Sequence, residues 1–167
     1  FSGTGSGSIA LEDKIVGIKS FRNDLIIFCQ NSLFKLININ DSSNIAIVPI
    51  TQNVGCMDGA SIQEIGGDLL FLSPDGLRTV AGTARIGDVE LSSVSRPIQS
   101  IIQSIADNIN NFTVSSAVLR SKSQHRLFYN IPTGAEATAD SSAKGIIATL
   151  TNQGFQYSET AGIKATA

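Results

Sequence analysis

Histidine 125 is the only histidine of the chain, and it stands in Arg120-Ser-Lys-Ser-Gln-His-Arg126, a polar, basic stretch that reads as a hairpin turn. A histidine there is a solvated side chain. A general base would need a nucleophile and an orienting carboxylate at its ring nitrogens, and no spacing in the sequence supplies them. The carboxylates are scattered: Glu12, Asp13, Asp24, Asp58, Asp68, Asp75, Asp88, Glu90. Asp88 and Glu90 alternate onto one strand face, where they could share a calcium ion with other oxygens, yet no Asp-x-Asp-x-Asp-Gly loop accompanies them. They read instead as charges that keep an exposed edge from sticking to another sheet. Cys29 and Cys56 each lie in or beside an apolar segment and read as buried free thiols; without histidine neighbours they make no zinc site. Gly3-x-Gly5-x-Gly7 lacks the preceding strand and following helix that a phosphate-binding loop requires. The expectation is therefore a protein that is not an enzyme, with no catalytic residues, no cofactor and no metal site.

The elements that would position such residues are short. Ile15 to Phe21, Leu25 to Cys29, Leu33 to Ile37 and Ile45 to Ile50 are apolar runs separated by Arg22-Asn23-Asp24, Gln30-Asn31-Ser32 and the polar stretch 38–44. Runs of this length, rich in Ile, Val, Leu and Phe and divided by turn residues, signal an antiparallel meander. Pro49 favours an edge strand or a strand end.

The same phrase then returns. Phe21-Arg-Asn-Asp-Leu-Ile-Ile-Phe28 resembles Ile65-Gly-Gly-Asp-Leu-Leu-Phe-Leu72, and Asp24 meets Asp68 at an offset of 68 − 24 = 44. A repeat of roughly 40–50 residues holding about four short strands is the mark of a β-propeller blade. Ile27 and Phe71 are then equivalent positions, each expected to pack between neighbouring sheets. A weaker third copy runs through Val114–Arg120, Arg126–Ile131 and Gly145–Leu150. Ser73-Pro74-Asp75-Gly76 and Thr151-Asn152-Gln153-Gly154 have the composition of tight hairpin turns.

One segment departs from this pattern. After Ser95, a candidate N-cap, Ile98, Ile101, Ile102, Ile105 and Ile109 form one stripe of an amphipathic helix over 96–109, expected to dock on the chain's own sheet. Residues 1–13 read as a flexible Gly/Ser leader and 132–144 as an exposed loop. The rest, 14–167, reads as a single all-β domain of antiparallel four-stranded blades at about 14–57, 58–93 and 112–160. Two or three blades do not close a propeller, so the domain reads as part of a longer chain or, alternatively, as a smaller open sheet assembly.

Bulk composition narrows the partners. Charged residues are only 16% and the formal net charge is −2, so no dedicated nucleic-acid surface is expected. No apolar run approaches the ~20 residues that span a bilayer as a helix, so membrane insertion is not expected. Trp is absent and aromatics total 6%, which disfavours sugar stacking.

Phe21–Leu36, Ile50-Thr-Gln-Asn-Val-Gly-Cys56, Ser61–Gly76 and Arg85-Ile-Gly87 followed by Pro97-Ile-Gln99 together resemble virion structural proteins of tailed bacteriophages, over roughly residues 14–131. The resemblance implies a propeller-bearing tail or neck component like the tail nozzle of short-tailed phages. It also implies a virion location, partners among other virion proteins and copies of itself in a symmetric ring, and no catalytic residues. A host-surface or glycan-binding adhesin is the alternative reading, and a hydrolase on a propeller scaffold the third.

Overall fold

Short apolar runs divided by turn residues become strands among the described residues. The structure, a computed structural model, describes residues 9–41, 43–81, 95–130 and 143–163. Within them lie β1 (Ile15–Phe21), β2 (Asp24–Cys29), β3 (Leu33–Ile37) and β4 (Ala46–Thr51); β5 (Gln63–Ile65), β6 (Asp68–Ser73) and β7 (Gly76–Thr79); then β8 (Thr113–Leu119), β9 (Gln124–Asn130), β10 (Lys144–Thr151) and β11 (Gly154–Ala161). Each group is one antiparallel sheet whose strands neighbour one another in chain order. We call them the first, second and third sheets; none is closed. Pro49 falls on β4, an edge strand of the first sheet, where no ladder bond is asked of its missing N–H.

The repeat in sequence is a repeat in turn geometry. Between β1 and β2, Arg22 and Asn23 have φ of 50° and 70°; between β5 and β6, Gly66 and Gly67 have φ of 61° and 75°. Two successive residues of positive φ make the turn whose twist matches that of paired strands. The hairpins Ser73–Gly76 and Thr151–Gly154 each close over two residues, as their composition predicts.

The sheets are layered in chain order. Ile26, Phe28 and Leu33 of the first sheet pack against Leu69 and Phe71 of the second, together with Val54, Cys56, Ile62 and Val80. Phe28 meets Phe71 edge to face, with ring centroids 5.3 Å apart. The opposite face of the second sheet, through Leu70, Leu72 and Leu77, packs against Val114, Leu127, Tyr129 and Ile146 of the third. The 44-residue match keeps this sidedness: Ile26 and Phe28 align with Leu70 and Leu72, and all four face the following sheet. Ile27, however, does not lie between sheets. It is buried, at 6% exposure, but belongs to neither inter-sheet cluster; it lies on the far face of the first sheet, which no other sheet covers among the described residues, whereas Phe71 packs between layers. Equivalent sequence positions thus have different neighbours because the first sheet is an end layer.

The second sheet has three strands among the described residues; a fourth is expected within 58–93, and residues 82–93 of that span lie outside the described residues. The helix α1 spans Gln99–Asp107, shorter than 96–109, with 3-10 turns at Arg96–Ile98 and Ile109–Asn111. Its stripe docks on the chain's own core, Ile102 and Ile105 being fully buried there. Ile98, not Ser95, is its N-cap. The Ser95 hydroxyl instead accepts a bond of 2.9 Å from the Leu77 amide, and Gln99 donates to the Asp75 carbonyl at 2.7 Å. The helix and its approach therefore occupy the open edge of β7.

Candidate functional site

The first strands of the three sheets draw together at one rim. Gly17 and Gly59 permit this: a Cβ on Gly17 would stand 2.7 Å from Ile62 Cδ1, and one on Gly59 2.6 Å from the Val16 carbonyl oxygen. The Gln63 side-chain amide then donates to both the carbonyl and the hydroxyl of Ser116 at 3.1 Å, and the Ser116 hydroxyl donates to the Ala60 carbonyl. Along this seam runs a groove of about 300 Å³ lined by Lys19, Ser20, Gln63, Glu64, Val118 and Arg120. Two cations and one carboxylate facing a shallow polar groove can hold an acidic or hydroxyl-rich surface. The groove lining contains no histidine or cysteine to serve as base or nucleophile.

Other sequence candidates are placed as follows. His125 is not a solvated turn residue. It lies on β9, fully buried between the second and third sheets. The turn is confined to Arg120–Lys122 and Ser123, the latter left-handed at φ 50°. Neither ring nitrogen has a hydrogen-bond partner. Burial pushes the imidazole down to about 4; the Ser61 backbone offsets part of this without completing a hydrogen bond at either nitrogen. A ring so enclosed and so hard to protonate is a core side chain. The polar surroundings misled the sequence reading, yet the alternation His125, Leu127, Tyr129 on one strand face carried the signal.

Asp75 lies in the β6–β7 turn and is not brought to His125. Burial pushes its carboxyl up, but the Arg78 guanidinium and the Ser73 hydroxyl more than reverse this and hold it below the usual range. Arg78 Nε donates to it at 2.8 Å, Nη2 donates to its other oxygen, and the Ser73 hydroxyl donates at 2.6 Å. The carboxylate neutralises Arg78, which is only 2% exposed. This is turn architecture.

Both cysteines are free and buried, as expected. The Cys56 amide donates to the Cys29 carbonyl at 2.9 Å, but the thiols diverge: Cys56 Sγ donates to the Asp58 carbonyl, while Cys29 lies by Ser32 and Asp13. Burial pushes the Cys56 thiol up to about 11, so it is not a thiolate nucleophile at neutral pH.

Asp13, assigned by sequence to the leader, accepts from the Asn31 amide at 2.8 Å and from the Ser32 hydroxyl at 2.6 Å, pinning the approach to β1 against the β2–β3 turn. No group of three or more potential metal ligands occurs among the described residues. Asp88 and Glu90, Gly3 to Gly7, and loop residues 132–142 lie outside them. No helix among the described residues is long and apolar enough to cross a membrane. In comparison with known proteins, no protein-family model and no curated protein matches the chain.

Proposed function

We propose that the chain is a structural component of a tailed-phage virion, a part of the tail or neck built from propeller-like sheets and held by protein–protein contacts. The observation that carries this reading is the stack itself: three antiparallel sheets in chain order, each pressing one face on the next, with the β1–β2 and β5–β6 turns repeating one geometry. Radially repeated sheets of this kind form propellers, which serve as rigid scaffolds. The low charge fraction suits a surface largely covered by neighbours, and the polar turns and grooves at the rims suit contacts between subunits.

The test is immunogold labelling of purified particles with antibody raised against this chain, paired with mass spectrometry of their protein content. Labelling confined to the tail or neck, at the stoichiometry of a ring, is expected. Polypeptide found free in infected-cell cytosol and absent from particles would overturn the reading. Saturable binding of the isolated chain to a glycan array, lost when Lys19 and Arg120 are replaced, would favour an adhesin in its place.

A further inference from the structure

His125 is fully buried, and neither ring nitrogen has a hydrogen-bond partner among the described residues. A leucine or phenylalanine would fill the same space without two unmade bonds. The ring lies on β9, an inner strand held by β8 on one side and β10 on the other, opposite Val118 and Ala148. That strand cannot move aside alone. Facing the ring is the 3-10 turn Gly59–Ser61, where the Ser61 backbone favours the charged imidazole.

This turn is where the three sheets are fastened to one another. Gly59 presses on the Val16 carbonyl of β1, so closely that a Cβ would stand 2.6 Å from the oxygen. The Ala60 carbonyl accepts from the Ser116 hydroxyl of β8. The Ser61 hydroxyl accepts from the Leu72 amide of β6 at 3.1 Å and donates to the Asp58 carbonyl at 2.6 Å. Three residues thus carry a contact to each sheet.

The titratable and charged groups on the faces packed around the ring are Cys56 and Asp58 beside the turn, Asp68 on β6, and Tyr129, Lys144, Tyr157 and Glu159 on its own sheet face. None of them bonds the ring. Asp58 accepts from the Ala60 amide at 2.7 Å, and both Asp68 oxygens accept from the Ala81 amide. A proton taken up by His125 therefore places a charge and a second N–H donor in a dry seam, with no counter-ion bonded to it.

We infer that His125 is an acid-operated latch: its protonation displaces the turn Gly59–Ser61 and unfastens the three sheets at their common rim, while each sheet keeps its own ladder. The ladders persist because backbone hydrogen bonds do not depend on ionisation. The turn is the part that yields, being short and held by single contacts, whereas β9 is paired along both edges. The inference stands apart from the virion reading, and the two fail separately.

Two thiols report on it. Cys56 is buried beside the turn, its Sγ donating to the Asp58 carbonyl at 3.3 Å, whereas buried Cys29 ends β2 beside Ser32 and Asp13. The experiment labels the 167-residue chain with dithiodipyridine, which reacts with thiols in acid, and follows far-ultraviolet circular dichroism alongside. From pH 7 to pH 4, labelling of Cys56 relative to an unstructured cysteine peptide should rise about a hundredfold, the ratio set by a folded value of about 4 against 6.5 for the free side chain. Cys29 and the dichroism should stay unchanged. In His125→Leu and in His125→Gln, Cys56 should remain slow at pH 4. The single histidine also gives a direct check on the unaltered chain: its ring-proton resonance should titrate where Cys56 opens, well below 6.5. Joint exposure of both thiols with loss of dichroism, an undiminished acid response in the two variants, or a ring that titrates with no change in labelling would each overturn the inference.

Discussion

The Arg22 guanidinium donates to the Gly67 carbonyl at 2.7 Å, tying the first turn of one sheet to the equivalent turn of the next. The guanidinium also stands 4.9 Å from the centroid of the Phe21 ring. The two turns that match in sequence thus touch in space, 45 residues apart along the chain. Arg22→Ala should lower stability by about 0.5–1.5 kcal/mol, since the bond is charge-assisted but exposed. Thermal melting checks it.

The two glycines of the second turn should answer substitution differently. Both have positive φ, which an L side chain adopts at a cost of roughly 1 kcal/mol. A Cβ on Gly67 meets nothing within 4 Å, whereas one on Gly66 would stand 2.5 Å from Leu150 Cδ2. Gly66→Ala should therefore cost more than Gly67→Ala, by under about 1 kcal/mol because the Leu150 side-chain tip can turn aside, as read by chemical denaturation.

Asp24 and Asp68 align in sequence, but they bond differently. Asp24 makes a half-exposed ion pair with Lys35 at 3.1 Å. Both oxygens of Asp68 accept from the Ala81 amide, at 3.1 and 3.2 Å, holding the end of β7 to the start of β6. Asp24→Ala should cost under about 0.5 kcal/mol, and Asp68→Ala about 1–2 kcal/mol. Equal melting temperatures would show that the Ala81 contact contributes nothing.

Asp75→Ala should be more severe than either. It leaves the buried Arg78 guanidinium without its carboxylate; because Asp75 itself is half-exposed and water screens the pair, the cost is about 1–3 kcal/mol. Arg78→Met with Asp75→Ala should recover part of the loss, because the charge leaves with its partner. No such recovery would refute the pairing argument.

Acid should destabilise the fold through His125. Its folded value, about 4, lies below the 6.5 of the free side chain. The unfolded chain then takes up a proton that the folded chain refuses. Stability is full above about pH 6.5 and falls as pH drops towards 4, by roughly 3 kcal/mol in all. Asp13 and Asp75, both held low, extend the loss to still lower pH. In His125→Phe the slope between pH 6.5 and 4 should flatten, as read from urea midpoints across that range.

Strand positions, most turn types and the helix stripe were legible in the sequence because each depends on residues close along the chain. Period-two alternation fixes which side chains share a face, and Gly66-Gly67 and Pro74-Asp75-Gly76 specify their turns locally. The 44-residue repeat also carried the sidedness of Ile26, Phe28, Leu70 and Leu72. Only the tertiary structure decided what covers each face. It buried His125 beneath a neighbouring sheet that its own polar segment does not announce, and it left Ile27 on an end layer while sandwiching Phe71. It turned the Ser95 hydroxyl from a helix cap to the edge of β7, and gathered Lys19, Gln63, Glu64 and Arg120 into one groove. The physical reason is the same in each case: local sequence sets backbone conformation and face, while burial and charge environment are set by whichever layer arrives from elsewhere in the chain.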